Sequence, residues 1–272
     1  MPVLYVVATP IGNLEDITLR ALRVLREVRL IAAEDTRRTR QLLTAYDIKT
    51  PVTSYHEHNK LAKLEAILAR LERDDVALVS DAGMPGINDP GRELIAECAA
   101  RGIPVVPVPG ASVVITALAV SGLETDRFCY LGYLPNRAAA RRRLLTSIAE
   151  ERATLVALEA PHRLAASLAD VLAALGERRI AVCRELTKVH EEVFRGTVSQ
   201  AVARFGEAKG EITLVIAGRP VDPGKPELTA DIERQLQAMR RSGMSAREAL
   251  AKLAGETGVA RKELYRGWLK PA

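Results

Sequence analysis

The stretch Val76-Ala-Leu-Val-Ser-Asp-Ala-Gly-Met-Pro-Gly-Ile-Asn-Asp-Pro-Gly91 restricts the fold more than any other part of the chain. Val76 to Val79 is a short apolar, β-branched run of the kind that forms a fully buried strand. Ser80-Asp81-Ala82-Gly83 follows, and Pro85, Gly86, Pro90 and Gly91 break any regular element. Arg92 to Arg101 then has apolar residues at helical spacing and stops at Gly102. A strand, a glycine-rich turn and a helix in succession is how open α/β sheets build ligand sites, at the carboxyl ends of their strands. Asp81 at the strand tip is available either to hold a polar ligand group or to cap the following helix.

The same grammar recurs on both sides. Val3 to Ala8 reads as a buried strand followed by the turn Thr9-Pro10-Ile11-Gly12-Asn13, with a helix from Thr18 to about Glu27, for which Asp16 and Thr18 are both available caps. Leu30 to Ala33 is a second strand, ending in Glu34-Asp35-Thr36. Pro51 to Asn59 holds a short strand and loop, and Lys60 to Arg73 an amphipathic helix. Pro104 to Ser112 is a further strand and turn, and Val113 to Gly122 a helix of small apolar residues. Strand and helix alternating over about 120 residues require a parallel, helix-covered sheet.

A boundary falls near Gly122 to Arg127. Beyond it come Phe128 to Pro135, an arginine-rich helix start at Asn136 to Arg143, strands at Ala153–Glu159 and Arg179–Cys183, and a last buried strand within Gly210–Gly218. Pro220 to Pro226 has linker composition. Three short helices follow, with a capping-box pattern at Ser245-Ala-Arg-Glu248 and Gly258 separating the last two as in a helix-turn-helix. The expected organisation is an N-terminal α/β domain over 1–122, a C-terminal α/β domain over 123–220 with a cleft between the two, and a small helical domain over 227–272.

Composition excludes several classes. Cys98, Cys129 and Cys183 are an odd, widely spaced set, which argues against a disulfide framework or a zinc site. His56 and His58 lie close together, but His162 and His190 are far away, so no metal is expected. No apolar run approaches the roughly 18 residues a membrane helix needs. A soluble, cytoplasmic protein is the expectation. With 39 Lys+Arg against 34 Asp+Glu the chain carries a net charge of +5, which permits an anionic partner without requiring one. Arg37, Arg38 and Arg40 oppose the dipole of the helix they open, so helix stability does not explain them. Phosphate contact and surface ion pairing are the two readings.

Taken together, Thr9-Pro-Ile-Gly-Asn13, Ala33-Glu-Asp-Thr-Arg-Arg-Thr-Arg40, the Asp81–Gly91 turn, Pro107-Val-Pro-Gly110, Pro161-His-Arg163 and Gly210-Glu-Ile-Thr213 closely resemble the bacterial ribosomal RNA small-subunit methyltransferase I family. Its members are 2′-O-ribose methyltransferases of the tetrapyrrole-methylase-like group. The chain differs from the commoner family pattern at Met84, Asn88 and Ala111. The resemblance implies two α/β domains with S-adenosylmethionine between them, in a homodimer. It implies as substrate a cytidine in the decoding region of 16S rRNA, within the small ribosomal subunit. It maps the cofactor pocket to Pro10, Asp81, Ala82, Gly83, Ile87, Ser112, Leu134, Glu159, Ala160, Glu211, Ile212 and Thr213. Glu34, Asp35 and Glu185 are candidates for the base that takes the ribose hydroxyl proton, against the alternative that each holds a local arginine. Arg37, Arg38, Arg40, Arg141, Arg142 and Arg143 are the expected RNA contacts. Two rivals stand beside this reading: a tetrapyrrole C-methyltransferase of the same fold, and a non-enzymatic nucleic-acid-binding regulator that uses the helical tail.

Overall fold

A computed structural model of the chain describes residues 1–57, 59–220 and 226–270. His58 and residues 221–225 of the expected linker lie outside the described residues. Two compact units emerge, a body over 1–219 and a tail over 220–272.

The body begins with five short parallel strands, β1 (Leu4–Val7), β2 (Leu30–Ala33), β3 (Val52–Ser54), β4 (Val76–Val79) and β5 (Val105–Val108), in the order β3-β2-β4-β1-β5. Side chains alternate across these strands, and both faces are apolar. Val7, Ile31, Ala33, Ala77 and Val79 face the helices α1 (Leu19–Glu27) and α2 (Thr36–Ala45). Leu4, Ala32, Val76 and Leu78 face α3 (Lys60–Leu71) and α4 (Arg92–Ala100). Thr18, not Asp16, caps α1, its hydroxyl accepting the Ala21 N–H.

The next helix, α5 (Val113–Ser121), lies before the expected boundary at 122–123, yet it does not cover this sheet. Its Ala117 and Leu118 pack on Val156, Ala181, Cys183 and Val215 of a second sheet. That sheet contains β6 (Phe128–Tyr133), β7 (Thr154–Glu159), β8 (Arg179–Arg184), β9 (Glu192–Thr197) and β10 (Ile212–Ile216), in the order β6-β7-β10-β8-β9. Only the β6–β7 pair is parallel. The opposite face is covered by α6 (Ala138–Ser147), α7 (Leu164–Leu175) and α8 (Val198–Arg204), around Leu145, Leu168, Val171 and Ala201.

The tail consists of α9 (Ala230–Arg241), α10 (Ala246–Thr257) and α11 (Arg261–Leu269). Ser245 and Glu248 form a complete capping box at the start of α10, and Gly258 ends it in a left-handed conformation. Leu236, Leu253, Val259 and Leu264 are its fully buried centre, flanked by Leu250 and Trp268. No helix among the described residues is long and apolar enough to cross a membrane.

Gly91 shows how tightly the organising turn is set. Its φ is +148°, and a Cβ there would sit 2.8 Å from Leu78 Cδ2 in β4. Gly91→Ala is expected to destabilise the body by about 1–3 kcal/mol through overpacking. The urea midpoint should fall with an unchanged slope.

Candidate functional site

The turns after β1, β2 and β4 meet at the carboxyl edge of the parallel sheet. Thr9 and Gly83 exchange backbone hydrogen bonds of 2.9 and 3.0 Å, and the Thr9 hydroxyl donates to the Ser80 carbonyl at 3.1 Å. Asp81 does not cap α4. Its Oδ1 accepts the Asp35 N–H at 2.9 Å, while its own N–H donates to Glu34 Oε2 at 3.3 Å. Arg38 Nη1 stands 3.5 Å from the other Asp81 oxygen. The acids at two neighbouring strand tips thus satisfy each other's backbone donors.

The second sheet closes over this edge. Gly12 admits the turn Glu185-Leu-Thr-Lys188, because a Cβ on Gly12 would lie 2.6 Å from Lys188 Cγ and 2.8 Å from Thr187 Oγ1. That turn holds two non-glycine residues at positive φ, Glu185 at +51° and Thr187 at +67°. Strain of this kind concentrates at functional sites. Asn88 donates its side-chain amide to the Tyr130 hydroxyl, a second tie across the gap.

Between these walls lies a cavity of about 570 Å³. Of the residues expected to hold a cofactor, Asp81, Ala82, Gly83, Ile87, Ser112, Glu159, Ala160, Glu211, Ile212 and Thr213 line it. Pro10 does not; it lines an adjoining cavity of about 490 Å³ that shares Ile11, Arg38, Asp81, Ala82 and Glu211 with the first. Leu134 also does not, because its side chain is packed into the core under α6 and α7.

The three candidate bases separate. Glu34 lines the larger cavity, and burial, then the nearby Asp89 carboxylate, push its pKa above the usual 4.5. Asp35 caps α2 and receives Arg37 at 2.7 Å, and the Arg37 side chain holds its carboxyl far below the ordinary range. Glu185 is turned away to the Glu211 N–H at 2.8 Å and Lys188 at 2.9 Å, the former being the main reason its pKa is lowered. Glu159, fully buried, is engaged by Arg163 at 2.6 Å, by Ser167 and by the Ala160 N–H at 2.7 Å.

The expected RNA contacts need one correction. Arg141 is only 4% exposed and binds Asp170 of α7 at 2.6 Å, so it is an internal ion pair between α6 and α7 and faces no RNA. Arg142 and Arg143 remain exposed. Arg37, Arg38 and Arg40 are exposed too, Arg37 bonded to Asp35 and Arg38 at the rim shared by the two cavities.

Sequence reading missed Tyr130 and Tyr133, which also line the larger cavity. Three residues apart, they should point to opposite faces of a regular strand. The register of β6 against β7 shifts between them, with Gly132 at φ +67°, so both reach the same space. Asp89 was missed as well; it lies in the organising turn, and burial raises its pKa. Met84, Val113, Val114 and Leu158 add apolar wall.

Twin α/β lobes with a cavity of mixed acidic, aromatic and aliphatic lining define a methylase of one particular fold: residues 3–202 match the family Tetrapyrrole (Corrin/Porphyrin) Methylases. Within that class the chain belongs to the ribosomal RNA small subunit methyltransferase I family. It is 47% identical over 270 residues to the protein of that name from Synechocystis sp., covering 98% of this chain and 97% of the relative. A Thermotoga maritima protein of the same name is 51% identical over 219 residues, covering 79% of this chain but 98% of the relative. The structure of uroporphyrin-III-C-methyltransferase from Thermus thermophilus has the same fold, with a TM-score of 0.55 at 24% identity over 80% of this chain and 95% of that one.

The raised pKa of Glu34 has a sign that can be tested. The folded protein binds this proton more tightly than the unfolded chain does. Its contribution to stability is therefore fully present below about pH 4.5 and is lost as pH rises through the folded value. Glu34→Gln keeps an acceptor for the Asp81 N–H without the charge. The urea midpoint of the variant should gain on the wild type between pH 4 and pH 7, and a constant difference would refute the assignment.

Proposed function

We propose that the chain is an S-adenosylmethionine-dependent methyltransferase that methylates the ribose 2′-hydroxyl of a cytidine in the decoding region of 16S rRNA. The observation that carries this is the cavity itself. Glu34, Asp81 and Asp89 bring negative charge to a space otherwise walled by Ile11, Met84, Ile87, Val113, Val114 and two tyrosines. That lining fits a ligand that is cationic at one end and a flat apolar heterocycle at the other. S-adenosylmethionine, when bound, supplies a methyl group already activated by a sulfonium centre, so the chain needs no nucleophile of its own.

The remaining work is alignment and proton removal. Asp81, at the rim common to both cavities, holds a polar group of the cofactor, and Arg38 beside it steers an anionic acceptor strand. Glu34 is the preferred base, since it alone of the three candidates lines the cavity and has a raised pKa. The acceptor ribose enters through the smaller cavity, where Gln41 offers an amide group. The Tyr130 and Tyr133 rings narrow the space open to water.

The whole-length similarity to proteins named for ribosomal RNA favours this substrate over a tetrapyrrole. The working form is read as a cytoplasmic homodimer acting on the small subunit without a metal. Support for the dimer comes from α5, apolar on every side, with Ile115 56% exposed.

The direct test is transfer of labelled methyl groups from S-adenosylmethionine to 30S subunits lacking the modification, with the product located by mass spectrometry of the 16S rRNA. Asp81→Ala should weaken cofactor binding by about 1.5–3 kcal/mol, roughly ten- to a hundred-fold, while the protein stays folded. Unchanged affinity by calorimetry would remove Asp81 from the cofactor site.

The tail is read as a docking module for the RNA or the subunit. Its helices carry Arg234, Arg240, Arg241, Arg247, Lys252, Arg261, Lys262, Arg266 and Lys270. The Thermotoga relative, covered almost entirely by an alignment of the body's length, supports a body that holds the cofactor unaided. A chain ending at Pro220 should bind S-adenosylmethionine as the full chain does, yet methylate 30S subunits poorly. Lost cofactor affinity, or methylation at the full rate, would end the docking reading.

A further inference from the structure

A second open groove, of about 820 Å³, lies at the same end of the second sheet, and Pro161 lines both it and the larger cavity. Its centre is Glu192 at the start of β9. One oxygen of Glu192 takes Arg184 Nε and Nη2 at 3.0 and 2.9 Å, and the other takes Arg204 Nη2 at 2.6 Å. The Arg204 guanidinium also stands 5.6 and 5.8 Å from the ring centroids of Phe194 and Phe205, which meet edge to face at 5.5 Å. One carboxylate and two rings therefore fix the positions of two guanidiniums.

Each guanidinium carries five N–H donors, and most of these are not used by Glu192. An ion network at a half-exposed position contributes little to stability, so stability alone is a weak reason for arranging the arginines so carefully. Lys209 lines the groove as well; it is exposed and has no ion-pair partner among the described residues. With Glu207 the groove has three cations, two of them held in place, against two carboxylates. Planar, pre-oriented guanidiniums beside a free ammonium suit phosphate oxygens.

We propose that this groove takes the phosphodiester backbone of the single-stranded RNA whose acceptor ribose is brought to Glu34 in the larger cavity, which adjoins the groove at Pro161. The proposal rests on the donor-cavity reading above. It replaces Arg141, which is internal, with a basic surface that the chain assembles from β8, α8 and the loop before β10. Arg204 to Lys209 is one continuous run, but Arg184 and Glu192 reach it only through strand pairing, which is why no local motif announces the cluster.

The test uses the full chain and a fluorescent single-stranded oligoribonucleotide, with affinity measured against salt. Lys209→Gln and Arg184→Gln should each weaken binding and make the slope of log affinity on log salt shallower, by about 0.7 per lost contact. S-adenosylmethionine affinity by calorimetry should be unchanged. Since Lys209 makes no side-chain hydrogen bond or ion pair among the described residues, Lys209→Gln decides the matter even if Arg184→Gln fails to fold. A wild-type slope and affinity in folded Lys209→Gln would overturn the proposal, as would an equal loss of cofactor affinity. If the variants shift the slope but the wild type transfers no methyl group to 30S subunits, the donor-cavity reading fails and the groove stands. If methyl transfer proceeds and the slope stays put, the groove alone falls.

Discussion

A parallel strand that ends inside a protein leaves backbone N–H groups that no further ladder can pair. The body meets this at the tips of β2 and β4 with carboxylates. Asp81 takes the Asp35 N–H, and Glu34 takes that of Asp81. This exchange fixes the spacing of two turns and places three acids, Glu34, Asp81 and Asp89, around one space. Acids gathered there resist burial and, to a lesser degree, repel one another, which is why Glu34 and Asp89 hold their protons more tightly than free carboxyls do. A cationic ligand would relieve that tension. The loop architecture and the charge of the cavity have one cause.

The second constraint is that the first α/β layer cannot close the cavity by itself. α5 follows the last strand of the parallel sheet but spends its apolar surface on the other sheet, so the two lobes of the body share a helix. The bare backbone of Gly12 lets the strained turn ending at Lys188 come close, and Asn88 reaches across to Tyr130. Met84 and Asn88 both line the cavity, and Asn88 makes a bond between the lobes.

Most of the scaffold was legible because it rests on local rules. Apolar runs of four residues, turns marked by proline and glycine, and helix caps at Thr18 and Ser245 define elements wherever neighbours agree with them. In the tail, Leu250 and Leu253, and Leu264 and Trp268, recur at helical spacing and form the core with Val259. The site was legible only in part. Residues on the glycine-bearing turns line the cavity, since such turns have few other purposes. Arg141 misled because a run of arginines reads as surface, and nothing local shows that one of them will meet Asp170 from the next helix. Tyr130 and Tyr133 were hidden by an irregularity of register that composition does not encode. The Arg184–Glu192–Arg204 cluster depends on strand pairing and on where α8 ends, and pairing is not written in any one segment.

That irregularity in β6 reaches further than the two rings it turns inward. β6 forms one border of its sheet, the kind of border along which unrelated chains can add strands without limit. A border whose pleat is broken at Gly132 cannot be copied by a straight neighbour beyond that point. Beyond Gly132, a second chain meeting this side must be recognised through side chains rather than through a shared ladder.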